Sequence, residues 1–235
     1  MAGNTCHMLL ARIAGPDTPP GAAGISLFLV PAVLPNGEPN DVEIVGLNRK
    51  MGHRALPNCA WNLGGGGGGA LGWLVGPPHG GLGCMFMMMN AMRIEVGLGA
   101  ACLGKRGLME SLLYAAEREQ GGQRIVHHAD VKRMLLLQKA YAEGSFGLVC
   151  LAASLEERTK AVGAAGAAAG AETAAEEARA AGAVLEVLVE VVKSWPSEWA
   201  LEANKLAIQV FGGAGYVNDF PVEQLYVGAH AHVSH

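Results

Sequence analysis

The sequence predicts an α+β protein, with a strand-rich first third followed by antiparallel helices. Three observations carry this expectation. Short apolar runs bounded by Pro, Gly and Asp fill residues 1–79, and apolar residues recur at helical spacing from Gly80 onward. The two kinds of segment do not alternate, which disfavours a parallel βαβ sheet and a Rossmann-type site.

The strand candidates come first. CHMLLARI and ISLFLVP are short apolar runs, and VEIVGL follows the turn residues Leu34-Pro35-Asn36-Gly37, whose Asn-Gly pair suits a tight turn. NCAWNL leads into six consecutive glycines, Gly64–Gly69, and GALGWLVG resembles a further strand. No Lys-Ser/Thr follows the glycines, so the phosphate-loop signature is absent and a flexible surface loop is the expectation.

From Gly80 a long helix runs to about Glu119, with bends expected at Gly97, Gly99 or Gly104. Met85, Met88, Met92, Val96 and Leu103 recur at helical spacing, a stripe that reads as core packing rather than a cofactor box. QGGQR interrupts the pattern, and a second helix runs from about Asp130 to Lys160. Residues 161–171 are low in complexity, and their glycines favour a connection. A third helix is expected over about 172–194, a break at Trp195-Pro196, and a fourth helix over Ser197–Val210. The chain then enters AIQVFGGAGYVNDFPVEQL, a glycine turn that restarts after Pro221.

Composition bounds the function. The 235 residues suffice for one large or two modest domains, and 51% hydrophobic content with mean hydropathy +0.25 excludes a solvated polymer. A net charge of −4 without a basic stripe argues against nucleic acid. Five dispersed cysteines without a CxxC pair read as free thiols in a reducing compartment. No targeting signal is visible, and the apolar stretches fall short of the roughly 20 residues of a membrane span. A soluble intracellular protein is the expectation.

Candidate chemistry is sparse. Gly212, Gly213 and Gly215 leave backbone N–H groups uncovered, so a phosphate or carbonyl can approach; a glycine helix cap is the plain alternative. Gln209 lies one turn earlier and both donates and accepts. Arg118 ends the first long helix, where it can meet a phosphate or simply favour the helix dipole. Arg93, on an apolar face, needs Glu95, Glu110 or a ligand anion. His127 and His128 point about 100° apart on a helix, which disfavours a metal site and leaves Asp130 as a helix cap. No GxSxG nucleophile elbow appears.

Taken together, MAGNTCHMLLARI, GISLFLVP, NRKMGHRALPNCAWNL, GWLVGPPHGGLGCMFMMMNAMRIEVGLGA, YAAEREQGGQRIVHHADVKRMLL and AIQVFGGAGYVNDFPVEQL resemble the acyl-CoA dehydrogenase family of flavoproteins. GISLFLVP and MMNAMRIEVGLGA lean toward the subgroup acting on 3-methylmercaptopropionyl-CoA-like substrates. The resemblance implies a partial middle β-domain over residues 1–79, a C-terminal four-helix bundle over 80–226, and a divergent tail over 227–235. It implies FAD-dependent α,β-dehydrogenation of an acyl-CoA, with the electron acceptor left open. Carried across by position, Arg118, Gln209, Gly212 and Gly213 match the residues that contact the FAD pyrophosphate of a neighbouring subunit. Arg93 matches an Arg beside the acyl-CoA pocket.

The departures set further expectations. Gly121 stands where the family has an aromatic residue stacked on adenine, and Ala129 where a Gln often reaches the cofactor. Met92 occupies the alternative base position, and the segment with the usual catalytic Glu falls beyond His235, so no catalytic residue is assigned. The flavin-ring strands are expected before Met1, which makes the chain a truncated form. The alternative is a non-catalytic helical fragment that self-associates or binds a complete paralogue. Either way a homo-oligomer is expected, because the Met85–Leu103 face would otherwise be exposed.

Overall fold

The computed structural model describes residues 5–164 and 171–233. They form two compact units, the first holding residues up to Lys50 and Arg54–Asn90, the second Met51–His53 and Ala91 onward.

In the first unit, β1 (Cys6–Arg12), β2 (Ile25–Pro31) and β5 (Trp73–Val75) form an antiparallel sheet in the order β1-β2-β5. Leu10 faces Leu27, and Leu27 faces Val75, so Leu27 is buried between two apolar neighbours. β3 (Val42–Leu47) and β4 (Cys59–Leu63) pair as a separate hairpin, with a register shift between Ile44 and Gly46. All five strands stand where the apolar runs place them. The Leu34–Gly37 turn also forms: Gly37 N–H donates to Leu34 O at 2.9 Å, and Gly37 takes the φ of +86° that its position requires. Asn40 is a buried staple whose Nδ2 donates to Pro31 O at 2.7 Å and Leu71 O at 2.8 Å.

The glycine run Gly64–Gly69 is exposed between β4 and β5, apart from half-buried Gly64. It is tied down rather than loose. Gly66 N–H reaches both carboxylate oxygens of Asp41 at 3.0 Å, and Gly64 N–H donates to Asp41 O at 2.8 Å.

In the second unit, α1 (Gly81–Glu117, begun in the first unit), α2 (Ala129–Ala164) and α3 (Ala171–Phe211) are long helices, and α4 (Val222–Val233) is short. α1 and α2 run antiparallel, and so do α2 and α3. Ser111 on α1 meets Gln138 on α2, while Lys105 lies over Phe146 further along; on α2 and α3, Tyr141 stacks on Trp199 and Arg158 meets Glu177. Buried Ile94, Val149, Leu185 and Val192 form one core cluster, and Ala115, Ile125, Met134, Leu135 and Val210 another.

Four sequence expectations are corrected here. The chain does not break at Trp195-Pro196: α3 runs through Pro196, and the fourth helix is Val222–Val233 instead of Ser197–Val210. The Met stripe is not core. Met88 and Met92 are exposed, and after Ile94 the inner face of α1 is small: Gly97, Ala100, Ala101, Gly104, Gly107, Ser111 and Ala115. Residues 161–164 continue α2 rather than beginning a connection; residues 165–170 of that expected connection lie outside the described residues. Finally, α1 is long and apolar enough, by length and composition, to cross a membrane. Its Arg93 pairs with Glu190 and its Arg106 with Glu110, and Gly97, Gly104 and Gly107 lie directly against α3, which accounts for it as a bundle helix.

Candidate functional site

The end of α1, the start of α2 and the end of α3 meet around a cleft of about 480 Å³. Tyr114 fixes the arrangement. Its ring stacks on Phe211 at 4.1 Å between centroids, and Phe220 packs edge-on against both. Arg118 follows one turn later on the same helix face, as i and i+4 residues must. Its N–H donates to Tyr114 O at 2.9 Å and its carbonyl accepts from Ile125 N–H at 2.8 Å, so its backbone is held on both sides.

Between Arg118 and α2 the chain makes a small hairpin, β6 (Glu119–Gln120) and β7 (Gln123–Arg124). Its turn is Gly121-Gly122, at φ of +66° and +80°, the left-handed pair that a two-residue hairpin turn demands. A single 3-10 turn, Ile125–His127, leads into α2. His128 is the residue whose carbonyl receives Lys132 N–H at 3.0 Å, so it caps α2 and Asp130, expected in that role, instead pairs with Arg133.

The far wall is the glycine turn. α3 ends at Phe211, and Gly212 at φ +59° takes the left-handed position that closes a helix. Gly213 has open space where a Cβ would stand. Gly215 is closed in, since a Cβ there would lie 2.6 Å from Ile208 O.

The cleft therefore brings Arg118 together with Gln209, Gly212 and Gly213, a segment about ninety residues later in the sequence. Among the described residues neither Arg118 nor Gln209 has a side-chain partner within the protein. An unpaired guanidinium, a free amide and an uncovered backbone turn form a donor set for an anion with more than one oxygen. The residues present thus fit a diphosphate. Among the described residues no carboxylate lines the cleft.

Arg93 lies apart from this cleft. Its Nη1 sits 2.9 Å from Glu190 Oε1 of α3, not against Glu95 or Glu110, and its side chain is 22% exposed. Glu110 is engaged by Arg106, and Glu95 is exposed. Among the described residues no group of His, Cys, Asp and Glu has the arrangement of a metal site. Sequence reading missed Tyr114, Gln120 and His128 as lining residues; the i, i+4 spacing of Tyr114 and Arg118 was the available signal.

Comparison with known proteins agrees with this architecture. Residues 79–232 match the family described as acyl-CoA dehydrogenase, C-terminal domain. The broad-specificity linear acyl-CoA dehydrogenase FadE5 of Mycobacterium tuberculosis is 34% identical over 239 residues, covering 94% of this chain and 37% of that protein. The 3-methylmercaptopropionyl-CoA dehydrogenase of Ruegeria pomeroyi is 34% identical over 240 residues, covering 96% and 38%. An acyl-CoA dehydrogenase from Bacillus anthracis, solved complexed with FAD, shares the fold with a TM-score of 0.74 at 20% identity, over 96% of this chain and 36% of that one. The chain spans a little over a third of the length of these curated relatives. By the match over its helices and the glycine turn, the chain belongs to the acyl-CoA dehydrogenase family.

Proposed function

We propose that the chain is part of an FAD-dependent oxidoreductase that dehydrogenates acyl-CoA thioesters at the α and β carbons, and that its cleft receives the FAD pyrophosphate. The observation that carries the reading is the unpaired Arg118 guanidinium, which shares the cleft with the Gly212–Gly213 turn. Its relatives support it: one is named for broad linear acyl-CoA substrates, another for 3-methylmercaptopropionyl-CoA, and a protein of the same fold was solved with FAD. The two curated relatives match equally well, so the substrate class proposed is the acyl-CoA thioester without a chain preference.

When bound, FAD would supply the hydride-accepting chemistry. Arg118 would hold the diphosphate by a charge-assisted contact, and Gln209, in the same cleft, would hydrogen-bond to it. The bare backbone at Gly213 admits the diphosphate without a side chain in its way. The cleft serves binding and not proton removal, since it has no carboxylate. Arg93 is proposed beside the acyl-CoA pocket, with Glu190 holding its guanidinium in place. We also propose a homo-oligomer, because the outer face of α1 exposes Phe86, Met87, Met88 and Met92.

The test is a titration of the purified chain with FAD followed by flavin fluorescence. Arg118→Ala should weaken binding by about tenfold or more, the scale of a lost charge-assisted phosphate contact. Unchanged binding would remove Arg118 from the site.

A further inference from the structure

A second groove, of about 520 Å³, lies between α2 and the early turns of α3, far along that helix from the glycine turn. Thr159 of α2 lines it together with Ala175, Arg179, Gly182, Ala183 and Glu186 of α3. Spacings of three, four and seven put these α3 residues on one face of the helix. The middle of that face is small. A Cβ on Gly182 would meet only Thr159 Cγ2, at 3.8 Å, and the Thr159 hydroxyl donates to Leu155 O at 2.8 Å.

The two ends of the groove carry opposite charges. Arg179 and Glu186 are two turns apart, roughly 10 Å along the helix. Among the described residues neither side chain has a partner within the protein. The charges nearby are engaged elsewhere: Glu177 meets Arg158, Lys160 meets Glu156, and Glu190 meets Arg93.

The order along the face is cation, small, small, anion, which is self-complementary under a two-fold rotation. With a second α3 laid antiparallel and the axis between Gly182 and Ala183, Arg179 of each copy meets Glu186 of the other. Gly182 then meets Ala183, so the backbones can approach closely. A parallel copy in register would set like charge on like. Val187, one turn beyond Ala183 and 70% exposed, extends the face with apolar surface.

We propose that this face of α3 is an interface with a second copy of the chain, paired antiparallel about Gly182 and Ala183 and held in register by two Arg179–Glu186 ion pairs between copies. This rests on the reading that the chain self-associates and adds a surface separate from the outer face of α1.

Sedimentation equilibrium of charge-swapped variants at low ionic strength tests it. Arg179→Glu alone and Glu186→Arg alone each turn two attractions into two repulsions, and each should weaken association about tenfold or more. The double variant Arg179→Glu/Glu186→Arg exchanges the charges and should associate as the wild type does. An equimolar mixture of the two single variants should do so too, because each supplies the charge that the other lacks. The outer face of α1 is the same in every sample and cannot produce that pattern. Single variants that associate as tightly as the wild type would overturn the interface and leave the groove to a different occupant. Weakening that the mixture fails to restore would overturn the antiparallel register, whatever the double variant does. A wild type that stays monomeric at all concentrations would overturn self-association and this inference with it.

Discussion

The carbonyl oxygen of Val192 lies against Gly97, inside the space that a Cβ on Gly97 would occupy. Val192 is the residue four before Pro196, which has no N–H to give it. The carbonyl orphaned by the proline thus faces a glycine on the neighbouring helix, where a Cα–H can approach it. Gly104 and Gly107 continue the same close contact, toward Ala200 and toward Asn204. α1 and α3 consequently run in the same direction, pressed together by residues without side chains.

Gly97→Ala should destabilise the protein by about 1–3 kcal/mol, because the atom in the way is backbone and cannot swing aside. Gly147 on α2 gives the opposite sign. It is exposed, mid-helix, and has nothing within 4 Å of its Cβ position, so Gly147→Ala should stabilise by about 1 kcal/mol. Urea unfolding of the two variants measures both; equal effects would refute the packing account.

The strands were legible because each is a short apolar run with its own turn residues, as at Leu34–Gly37, and local chemistry decides such segments. The break at Pro196 was a local inference too, and it failed because the compensation comes from Gly97, about a hundred residues away. The Met stripe misled for a related reason. Helical period reveals that α1 has an apolar face, but α1 is apolar nearly all round, and it is the small residues that turn inward. At the site, the resemblance picked out Arg118, Gln209, Gly212 and Gly213, which the fold collects in one cleft. The Arg93–Glu190 pair joins residues about a hundred positions apart, a placement that no spacing encodes.

The glycine loop offers a direct check on local order. Asp41 accepts from Gly66 with both oxygens, so Asp41→Ala should speed hydrogen exchange at Gly66 and cost about 1 kcal/mol. A Gly66 amide that already exchanges freely in the wild type would show that this anchor does not hold in solution.

Arg93 and Glu190 should be only weakly coupled. Glu190 is 63% exposed, so solvent screens the pair, and a double-mutant cycle with Arg93→Ala and Glu190→Ala should give about 0.5–1 kcal/mol. A coupling of several kcal/mol would mean the pair is more deeply buried than this.

Self-association should follow from the outer face of α1, where Met87 is 71% exposed and Phe86, Met92 and Leu113 are exposed with it. Sedimentation should show a concentration-dependent species above the monomer, and Met87→Glu with Met92→Glu should shift it downward. A sharp monomer at all concentrations would leave that face unexplained by pairing.

The last prediction divides the two glycines of the turn by function. Gly212 sits at φ +59°, where an L side chain crowds its own carbonyl, so Gly212→Ala should cost about 1–2 kcal/mol of stability. Gly212→Asn should cost less, because Asn tolerates the left-handed region. Gly213 has no positive φ and open space around its Cβ position, so Gly213→Ala should leave the melting temperature nearly unchanged. The added methyl would instead stand in the cleft that Arg118 also lines, where the backbone is proposed to meet the diphosphate. Gly213→Ala should therefore weaken FAD or pyrophosphate binding without destabilising the fold, and Gly212→Asn should largely preserve both. Thermal melts paired with titrations read the two effects separately. If Gly213→Ala binds as the wild type does, the turn closes a helix and nothing more.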